Sequence, residues 1–395
     1  MAGRRRNDPL KRGASRQTLV GMRMLKPIQH LIEQLHDVGT ERDRAGNRKL
    51  SCDRYVTLLL LYFFNPSLTS LRALQQMTGW EKVQRELGIE RTSLGSLSEA
   101  ARVFDADALA PIVQELAVRA LPLSSGREAE LLKGLTAVDG SVFAALPRMA
   151  WALWKDADHR GVKLHLHFDV LKAVPCRAAV TPAACSEPAQ LEAMLQANRL
   201  YVVDRGYADY GLFAAIIGAG SSLIARVKDN TAFAVSEERP LNQAARQAGV
   251  VRDAVLSRLG TSHHRDHLKR PMRLVIVHTT NRDGKRTELW LLTDRLDLAA
   301  DLVALGYRFR WTVELFFRWL KCVLGARHLV AENANGVTMQ MYAALIVSLL
   351  IVLRTDRKPT KRTFEMIQFY IQGLVSDEEF AAHLARLRRA STQTD

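Results

Sequence analysis

The segment from Tyr307 to Lys321 places the strongest constraint on what this chain can fold into. It contains neither glycine nor proline, so we predict one uninterrupted helix. At about 100° per residue, an apolar arc of roughly 100° is expected to face the core. A separate arc of roughly 80° carries one carboxylate, Glu314, together with Tyr307, Arg310, Arg318 and Lys321. This polar arc is either a solvated surface with ordinary ion pairs or a site for a phosphodiester and a metal ion.

The charge of the chain indicates what it binds. A net charge of +15 and a pI near 9.9 predict a polyanionic partner, most simply nucleic acid, although membrane surfaces attract basic proteins too. No signal peptide is evident, and the two longest apolar runs, Tyr55–Phe64 and Met341–Leu353, are shorter than the roughly 20 residues that span a bilayer. The four cysteines form no C-x-x-C pair, which favours reduced thiols in the cytoplasm. No phosphate-binding loop or dinucleotide fingerprint is present, so no nucleotide cofactor is expected.

Two aspartates lie on or at the end of predicted strands. Asp139 is inside the apolar run Leu135–Phe143, where an acid is costly unless a cation compensates it. Asp204 ends the apolar run that begins at Asn198. Between about 135 and 227 the patterns predict three strands, a helix, a strand, a helix and a strand. This order matches an RNase H-like core, in which the first and fourth strands are neighbours, so the two aspartates are predicted to meet.

Three short motifs resemble those of DDE insertion-sequence transposases of IS family four. They are D-G-S at 139–141, D-R-G-Y at 204–207 and Y-x2-R-x3-E-x6-K from Tyr307 to Lys321. The resemblance covers about 135–330 and implies an α/β (α+β multidomain) protein with an RNase H-like mixed sheet flanked by helices. It divides the chain into a helical DNA-end-binding domain (1–130), a catalytic core (131–228 and 301–332), an inserted β-rich domain (229–300) and a helical C-terminal region (333–395) with a possible role in dimerisation.

The resemblance also implies a set of roles at a metal site. Asp139 would bridge two Mg²⁺ ions, Asp204 would hold one and Glu314 the other, with Mn²⁺ as a substitute. Arg310 and Lys321 would contact the flanking phosphates.

Other side chains are predicted to touch DNA without being catalytic. Tyr307 would hydrogen-bond a phosphate at the cleaved end, and Arg318 and Trp311 border the same face. In relatives that cleave through a DNA hairpin, a tryptophan in the insertion stacks on a flipped base, and Trp290 is our candidate. The alternative for Trp290 is an ordinary buried position in a strand.

Two histidine groups are weaker candidates for metal sites. His165, His167 and Asp169 share one strand face, where a structural or DNA-adjacent role is favoured. The run from His263 to His267 has no matching cysteines, so a solvated loop is favoured there.

The predicted function is cut-and-paste transposition of double-stranded DNA, with a homodimer acting on inverted-repeat ends and target DNA. The setting would be the bacterial cytoplasm, in association with the nucleoid and with no membrane partner. Two alternatives stay open: a nuclease or resolvase on the same core that cuts without joining, and a DNA-binding relic of a transposase without activity.

Overall fold

The computed structural model describes residues 20–36, 48–154, 159–260, 270–280 and 286–392, together with Val38, Asp43 and Gly284. The helices before the first strand are α1 (Val20–Leu25), α2 (Gln29–Glu33), α3 (Cys52–Phe64), α4 (Leu71–Met77), α5 (Glu81–Leu87), α6 (Leu94–Val103), α7 (Ala110–Arg119) and α8 (Arg127–Leu131). The core follows as β1 (Leu135–Ala144), β2 (Gly161–Asp169), β3 (Val174–Pro182), α9 (Glu187–Ala193), β4 (Leu200–Val203), α10 (Tyr210–Gly218) and β5 (Ser222–Val227).

The remaining elements complete the chain. They are β6 (Phe233–Glu238), α11 (Gln243–Gln247), β7 (Val250–Leu259), β8 (Met272–Thr280), β9 (Arg286–Thr293), α12 (Ala300–Arg308), α13 (Trp311–Cys322), α14 (Ala334–Thr355), α15 (Lys361–Ile371) and α16 (Asp377–Thr392). Short 3-10 turns connect several of them, including one at Arg205–Tyr207.

Within the described ranges, nine strands form one mixed sheet in the order β3-β2-β1-β4-β5-β9-β8-β7-β6. Strands β1, β2 and β3 are antiparallel neighbours, whereas β4 is parallel to β1 and β5 is parallel to β4. This is the RNase H-like arrangement predicted from the sequence. The predicted adjacency of the first and fourth strands is confirmed.

Side-chain alternation along β1 explains why helices cover both faces of the sheet. Leu135 and Ala137 face an apolar cluster that includes residues of α3, α7, α13 and α14. Val138 faces the opposite side and belongs to a second cluster with Leu212 and Phe213 of α10. The fold therefore has three layers, with the sheet in the middle.

The predicted inserted strands continue the core sheet. Strand β9 pairs with β5 in antiparallel register, with Val227 opposite Trp290, and β8 and β7 follow. The sequence pattern predicts strands at 251–259, 271–279 and 286–292, and the boundaries of β7, β8 and β9 lie within two residues of these, whereas β6 at the sheet edge is not predicted. The pattern also predicts a turn at 281–284, of which only Gly284 is among the described residues.

The two apolar runs that looked too short to span a bilayer are core helices that pack on each other. Helix α3 ends at Phe64, as the proline at position 66 in the sequence predicts. Helix α14 extends to 22 residues and is long and apolar enough to cross a membrane by length and composition. However, 89% of its most apolar window is buried inside the protein. Its apolar character is therefore explained by its central position between the N-terminal helices and the sheet.

Gly336 tests the close packing at the start of α14. A Cβ atom at this position would lie 2.6 Å from Ala331 Cβ and 2.8 Å from Ala101 Cβ. We expect Gly336→Ala to lower the free energy of unfolding by about 1–3 kcal/mol through overpacking, despite the better helix propensity of alanine. Urea denaturation measures this. Gly218→Ala is the matched control, because a Cβ atom there meets nothing within 4 Å; equal effects of the two substitutions would contradict the packing argument.

Candidate active site

The predicted uninterrupted helix from Tyr307 to Lys321 is wrong, because two helices share this segment. Tyr307 lies in the last turn of α12, Arg310 precedes α13, and Glu314 lies in the first turn of α13. The Arg310 amide donates to the Tyr307 carbonyl at 3.0 Å, and the Thr312 hydroxyl donates to the Phe309 carbonyl at 2.7 Å. These i to i−3 bonds form one turn between α12 and α13 that is tighter than an α-helical turn, and the backbone there stays right-handed. Tyr307, Arg310 and Glu314 therefore still lie near one another.

The β1–β4 register brings the two aspartates together. Leu135 is opposite Leu200 and Ala137 is opposite Val202. Continued by two residues, this register sets Asp139 beside Asp204, which follows the last residue of β4. Asp139 alternates with Val138 and so lies on the face of the sheet that α13 covers.

Backbone amides fix one oxygen of each aspartate. The Gly140 amide donates to Asp139 Oδ1 at 2.9 Å. The Gly206 amide donates to Asp204 Oδ1 at 2.8 Å, which caps the 3-10 turn after β4. The glycines of the D-G-S and D-R-G-Y motifs thus bond directly to the carboxylates that precede them.

Arg310 lies between Glu314 and the aspartates. Its Nη2 donates to Glu314 Oε1 at 2.6 Å, and its guanidinium carbon lies 5.9 Å from the centre of the Tyr307 ring. Arg310 is largely buried, and its charge lowers the pKa of Asp139, against the larger effect of burial. Its Nε is buried without a hydrogen-bond partner among the described residues. One cation therefore serves both the carboxylate on the helix and the carboxylate on the strand.

Lys321 and Arg318 are placed differently from each other. Lys321 Nζ donates to the Val142 carbonyl of β1 at 2.6 Å and lies 4.6 Å from the centre of the Phe143 ring. Burial lowers the pKa of Lys321. Arg318 is exposed. Lys321 therefore ties α13 to β1 just beyond Asp139, whereas Arg318 is accessible to a ligand.

A cleft of about 590 Å³ opens beside this group of residues. It is lined by Tyr307, Arg308, Arg310 and Trp311 on one side and by residues of α11, β8 and β9 on another. Trp311 is exposed, so an aromatic face and cations are both available at the edge of the cleft.

Burial, together with the negative charges of Asp204 and Glu187, raises the pKa of Asp139 to about 7. A half-buried acid next to other carboxylates is what a divalent cation compensates, and carboxylate oxygens suit such a cation. In the part of the chain that the structure describes, no group of three or more histidine, cysteine, aspartate or glutamate side chains is close enough to hold a metal ion. Asp139 and Asp204 fit as ligands, and Glu314 would have to exchange Arg310 for the metal.

The raised pKa of Asp139 makes the stability of the metal-free protein depend on pH. Between about pH 4 and pH 7 the folded state holds a proton that the unfolded state releases, so the free energy of unfolding falls as pH rises. We expect Asp139→Asn to stabilise the metal-free protein by about 2–4 kcal/mol at pH 8 and by less at pH 5. Urea denaturation in EDTA at the two pH values measures this, and an identical difference at both would contradict it.

Trp290 lies apart from the carboxylates. Its half-buried ring packs with the cluster on the face opposite to α13, 5.7 Å from the Phe233 ring. Its Nε1 donates to Glu288 at 3.1 Å. These contacts agree with the buried-strand alternative, and its stacking on a flipped base stays a prediction.

The histidines on β2 make structural contacts. His165 Nε2 lies 2.8 Å from the Thr181 hydroxyl, and burial lowers the pKa of His165 to about 4. The fully buried His167 packs edge-on against Tyr201, and burial lowers its pKa to about 3. Asp169 pairs with Arg199 at 3.2 Å. The 263–267 segment lies outside the described residues.

Glu187, in the first turn of α9, is a site residue that was not predicted from the sequence. Its negative charge raises the pKa of both Asp139 and Tyr207. The glycine directly after Asp139 was the available sequence signal, since a Cβ atom at position 140 would lie 2.9 Å from Glu187 Oε1.

Comparisons with known proteins bear on this site. A family model described as the transposase DDE domain matches residues 130–350. A protein described as a transposase, y4zB, from Sinorhizobium fredii is 29% identical over 212 residues, which cover 53% of this chain and 57% of that protein. A protein described as a transposase for insertion sequence element IS5377, from Geobacillus stearothermophilus, is 25% identical over 285 residues, covering 71% and 73% of the two chains.

The chain thus spans little more than half the length of the first of these relatives. Among solved structures, the piggyBac transposase synaptic complex with hairpin DNA aligns with a TM-score of 0.42 and 9% identity, covering 94% of this chain and 86% of that one. A similarity of this size does not bear on the mechanism.

The family match includes both aspartates and Glu314, since it extends over β1 to most of α14. DDE transposases act on DNA, which they cleave and join with divalent metal ions. The matched region exceeds half of the chain, and the sheet order is the RNase H-like one. The chain therefore belongs to the family of insertion-sequence transposases with a DDE domain.

Proposed function

We propose that this chain is a cut-and-paste transposase that cleaves DNA at terminal inverted repeats and joins the 3′ ends to target DNA. The β1–β4 register carries the proposal, because it sets Asp139 beside Asp204 on the face that α13 covers. A half-buried acid beside a second carboxylate is costly without a cation, which favours a working metal site over a DNA-binding relic.

The carboxylates are the proposed metal ligands. Asp139, Asp204 and Glu314 would hold two Mg²⁺ ions, with Mn²⁺ as a substitute. When bound, these ions supply activation of the attacking oxygen and stabilisation of charge on the phosphate and the leaving oxygen. Arg310 would then bind a phosphate. Its guanidinium would be released from Glu314 once that carboxylate held a metal ion, and it could make a bidentate contact.

The remaining DNA contacts follow from exposure. Trp311 is exposed at the cleft and Arg318 is exposed farther along α13, and both are proposed to touch the DNA strand. Tyr307 lines the same cleft and is proposed to hydrogen-bond a phosphate at the cleaved end. Lys321 already bonds to Val142, so we propose that it orients Asp139's strand as well as contributing positive charge to phosphate binding.

We propose that residues 1–130 bind the ends of the element. Helix α4 and the start of α6 border a polar cleft lined by Arg72, Gln75, Gln76, Arg91, Thr92, Ser93 and Leu94. Arginine and glutamine side chains in such a setting match the hydrogen-bonding edges of guanine and adenine. Trp80 is exposed at the turn before α5 and is available to the same DNA.

The other regions complete the proposal. The catalytic core comprises 131–228 and 301–332, the β-rich insertion comprises 229–300, and 333–395 is proposed to pair two protomers in the synaptic complex. Phe369 and Leu374, exposed on and just after α15, are the side chains that such a contact would cover. We place the protein in the bacterial cytoplasm near the nucleoid.

A hairpin intermediate is proposed for the cleavage step, with Trp290 as the stacking residue. Denaturing gels of a labelled terminal-repeat duplex separate a hairpin product from a plain double-strand break. Trp290→Ala is expected to remove the hairpin product while strand nicking continues. Nicking with no joined product in the same reactions would instead favour the nuclease or resolvase.

A further inference from the structure

Glu187 lies against β1, which carries Asp139, and its helix α9 contacts the turn that directly follows Asp204. Its Oε1 is 3.0 Å from Lys163 Nζ of β2, and Lys163 also donates to the Cys185 carbonyl at 3.2 Å. The turn that α9 contacts is Arg205–Tyr207, and the negative charge of Glu187 adds to burial in raising the pKa of the Tyr207 hydroxyl. Lys163 and Tyr207 are both shielded from solvent, since the Lys163 side chain is 12% exposed and Tyr207 is 1% exposed. The carboxylate of Glu187 is therefore paired with a cation of β2 and lies close to the turn that follows β4.

Gly140 leaves the space in which Glu187 lies. A Cβ atom at position 140 would be 2.9 Å from Glu187 Oε1 and 3.2 Å from Lys163 Cδ. Gly140 directly follows Asp139, and its amide donates to the Asp139 carboxylate. The contact between Glu187 and Gly140 thus acts on the peptide that orients Asp139.

Tyr207 connects Glu187 to the second aspartate. Tyr207 ends the 3-10 turn that the Asp204 side chain caps, and its ring is packed in the cluster with Leu212 and Phe213. The contact between α9 and this turn therefore supports the backbone that orients Asp204. The contacts with Glu187 explain why position 140 needs a residue without a side chain and give Tyr207 of D-R-G-Y a part in the site.

We propose that Glu187 is a positioning residue for the active site, which holds Asp139 and Asp204 in one arrangement through Gly140, Tyr207 and Lys163. This inference rests on the proposed roles of the two aspartates as metal ligands. Glu187 is not itself assigned to the metal, because Lys163 already pairs with its carboxylate. Partners behind metal ligands typically change metal affinity by roughly 10- to 100-fold when removed.

The test measures metal affinity apart from turnover. Mn²⁺ binding to the complex of the full chain with its terminal-repeat DNA is followed by the loss of the free-ion EPR signal. Glu187→Ala is expected to weaken Mn²⁺ binding by about tenfold. Glu187→Gln, whose side-chain oxygen still accepts a hydrogen bond from Lys163, is expected to keep most of the affinity. Thermal unfolding without metal and DNA binding check that each variant is folded.

Gly140→Ala provides a second variant that leaves Glu187 in the chain. The added methyl group displaces only the end of a flexible side chain, so the fold is expected to persist while the carboxylate moves. Gly140→Ala should therefore weaken Mn²⁺ binding in the wild-type background. It should add nothing in the Glu187→Ala background, because the close contact between the added methyl group and Glu187 Oε1 is then absent. Independent, additive effects of the two substitutions would overturn the proposal.

Asp139→Asn separates this inference from the proposed function. If Asp139→Asn weakens Mn²⁺ binding and Glu187→Ala does not, Glu187 has no positioning role. If neither substitution changes Mn²⁺ binding, the metal site itself is wrong. If Glu187→Ala is unfolded, the Gly140→Ala result alone decides, and wild-type affinity in that variant would overturn the proposal.

Discussion

Asp139→Asn, Asp204→Asn and Glu314→Gln are each expected to lower DNA cleavage by roughly 10³-fold or more while DNA binding is retained. Each change keeps the shape of the side chain but removes the charge with which the carboxylate holds a divalent cation. Asp139 and Asp204 accept hydrogen bonds from backbone amides, which an amide oxygen also accepts, so the backbone is expected to stay in place. Cleavage of an end-labelled terminal-repeat duplex under single-turnover conditions measures the loss.

Glu365→Gln is the matched control for these variants. Glu365 lies on α15, is part of a surface ion pair with Lys361 at 3.6 Å, and belongs to no element of the site. The Glu365→Gln protein should cleave at the wild-type rate. If any one of the three carboxylate variants cleaved at a rate near that of Glu365→Gln, the role assigned to that carboxylate would be wrong.

The largest expected effect on stability belongs to the buried pair of Asp253 and Arg273. Arg273 Nε and Nη2 each donate to one Asp253 oxygen at 2.7 Å, and Nη1 donates to the carbonyls of Leu298 and Arg295. The Arg273 side chain is only 2% exposed. Removing one partner leaves an uncompensated buried charge, so Arg273→Ala or Asp253→Ala should cost about 3–5 kcal/mol.

The exposed pair of Arg252 and Glu238 is the control for this measurement. It joins the neighbouring strands β6 and β7, but its side chains are 38% and 55% exposed. Arg252→Ala should therefore cost less than about 1 kcal/mol in the same urea denaturation series. A loss of similar size for Arg252→Ala and Arg273→Ala would show that burial does not set the strength of these pairs.

Much of the fold could be predicted because its signals are local. Strand β1 alternates between two apolar clusters, and the order of strands and helices from Leu135 to Val227 admits few arrangements. Strand β6 could not be predicted, because Phe233–Glu238 is an edge strand with three exposed residues and no strong apolar pattern. Local sequence patterns also do not show that β9 pairs with β5, because that pairing joins residues far apart in the chain.

The break between α12 and α13 shows a different limit of pattern analysis. Phe309 and Arg310 both have right-handed helical dihedral angles, so nothing in their residue types marks an end. A bond from the Thr312 hydroxyl to the Phe309 carbonyl and one shortened backbone turn make the boundary. A side-chain hydroxyl that bonds to a backbone carbonyl in this way depends on local geometry, which helix propensities of single residues do not describe.

The candidate site was predicted in part. The three carboxylates carry recognisable motifs, but Lys321 bonds to a β1 carbonyl, and this depends on how α13 packs on the sheet. Glu187 was missed for the same reason, because its contacts with Gly140 and Tyr207 depend on how α9 packs on the sheet. Tertiary packing, rather than residue type, decides both placements.

The central claim is that Asp139, Asp204 and Glu314 form one metal-dependent site for DNA cleavage and joining. The most direct test incubates wild type and Glu314→Ala with a labelled terminal-repeat duplex and a target plasmid, in Mg²⁺ and in EDTA. The account predicts nicked and joined products for wild type in Mg²⁺ alone and for Glu314→Ala in neither condition. Binding of the duplex by wild type with no cleavage in Mg²⁺ or Mn²⁺ would contradict it.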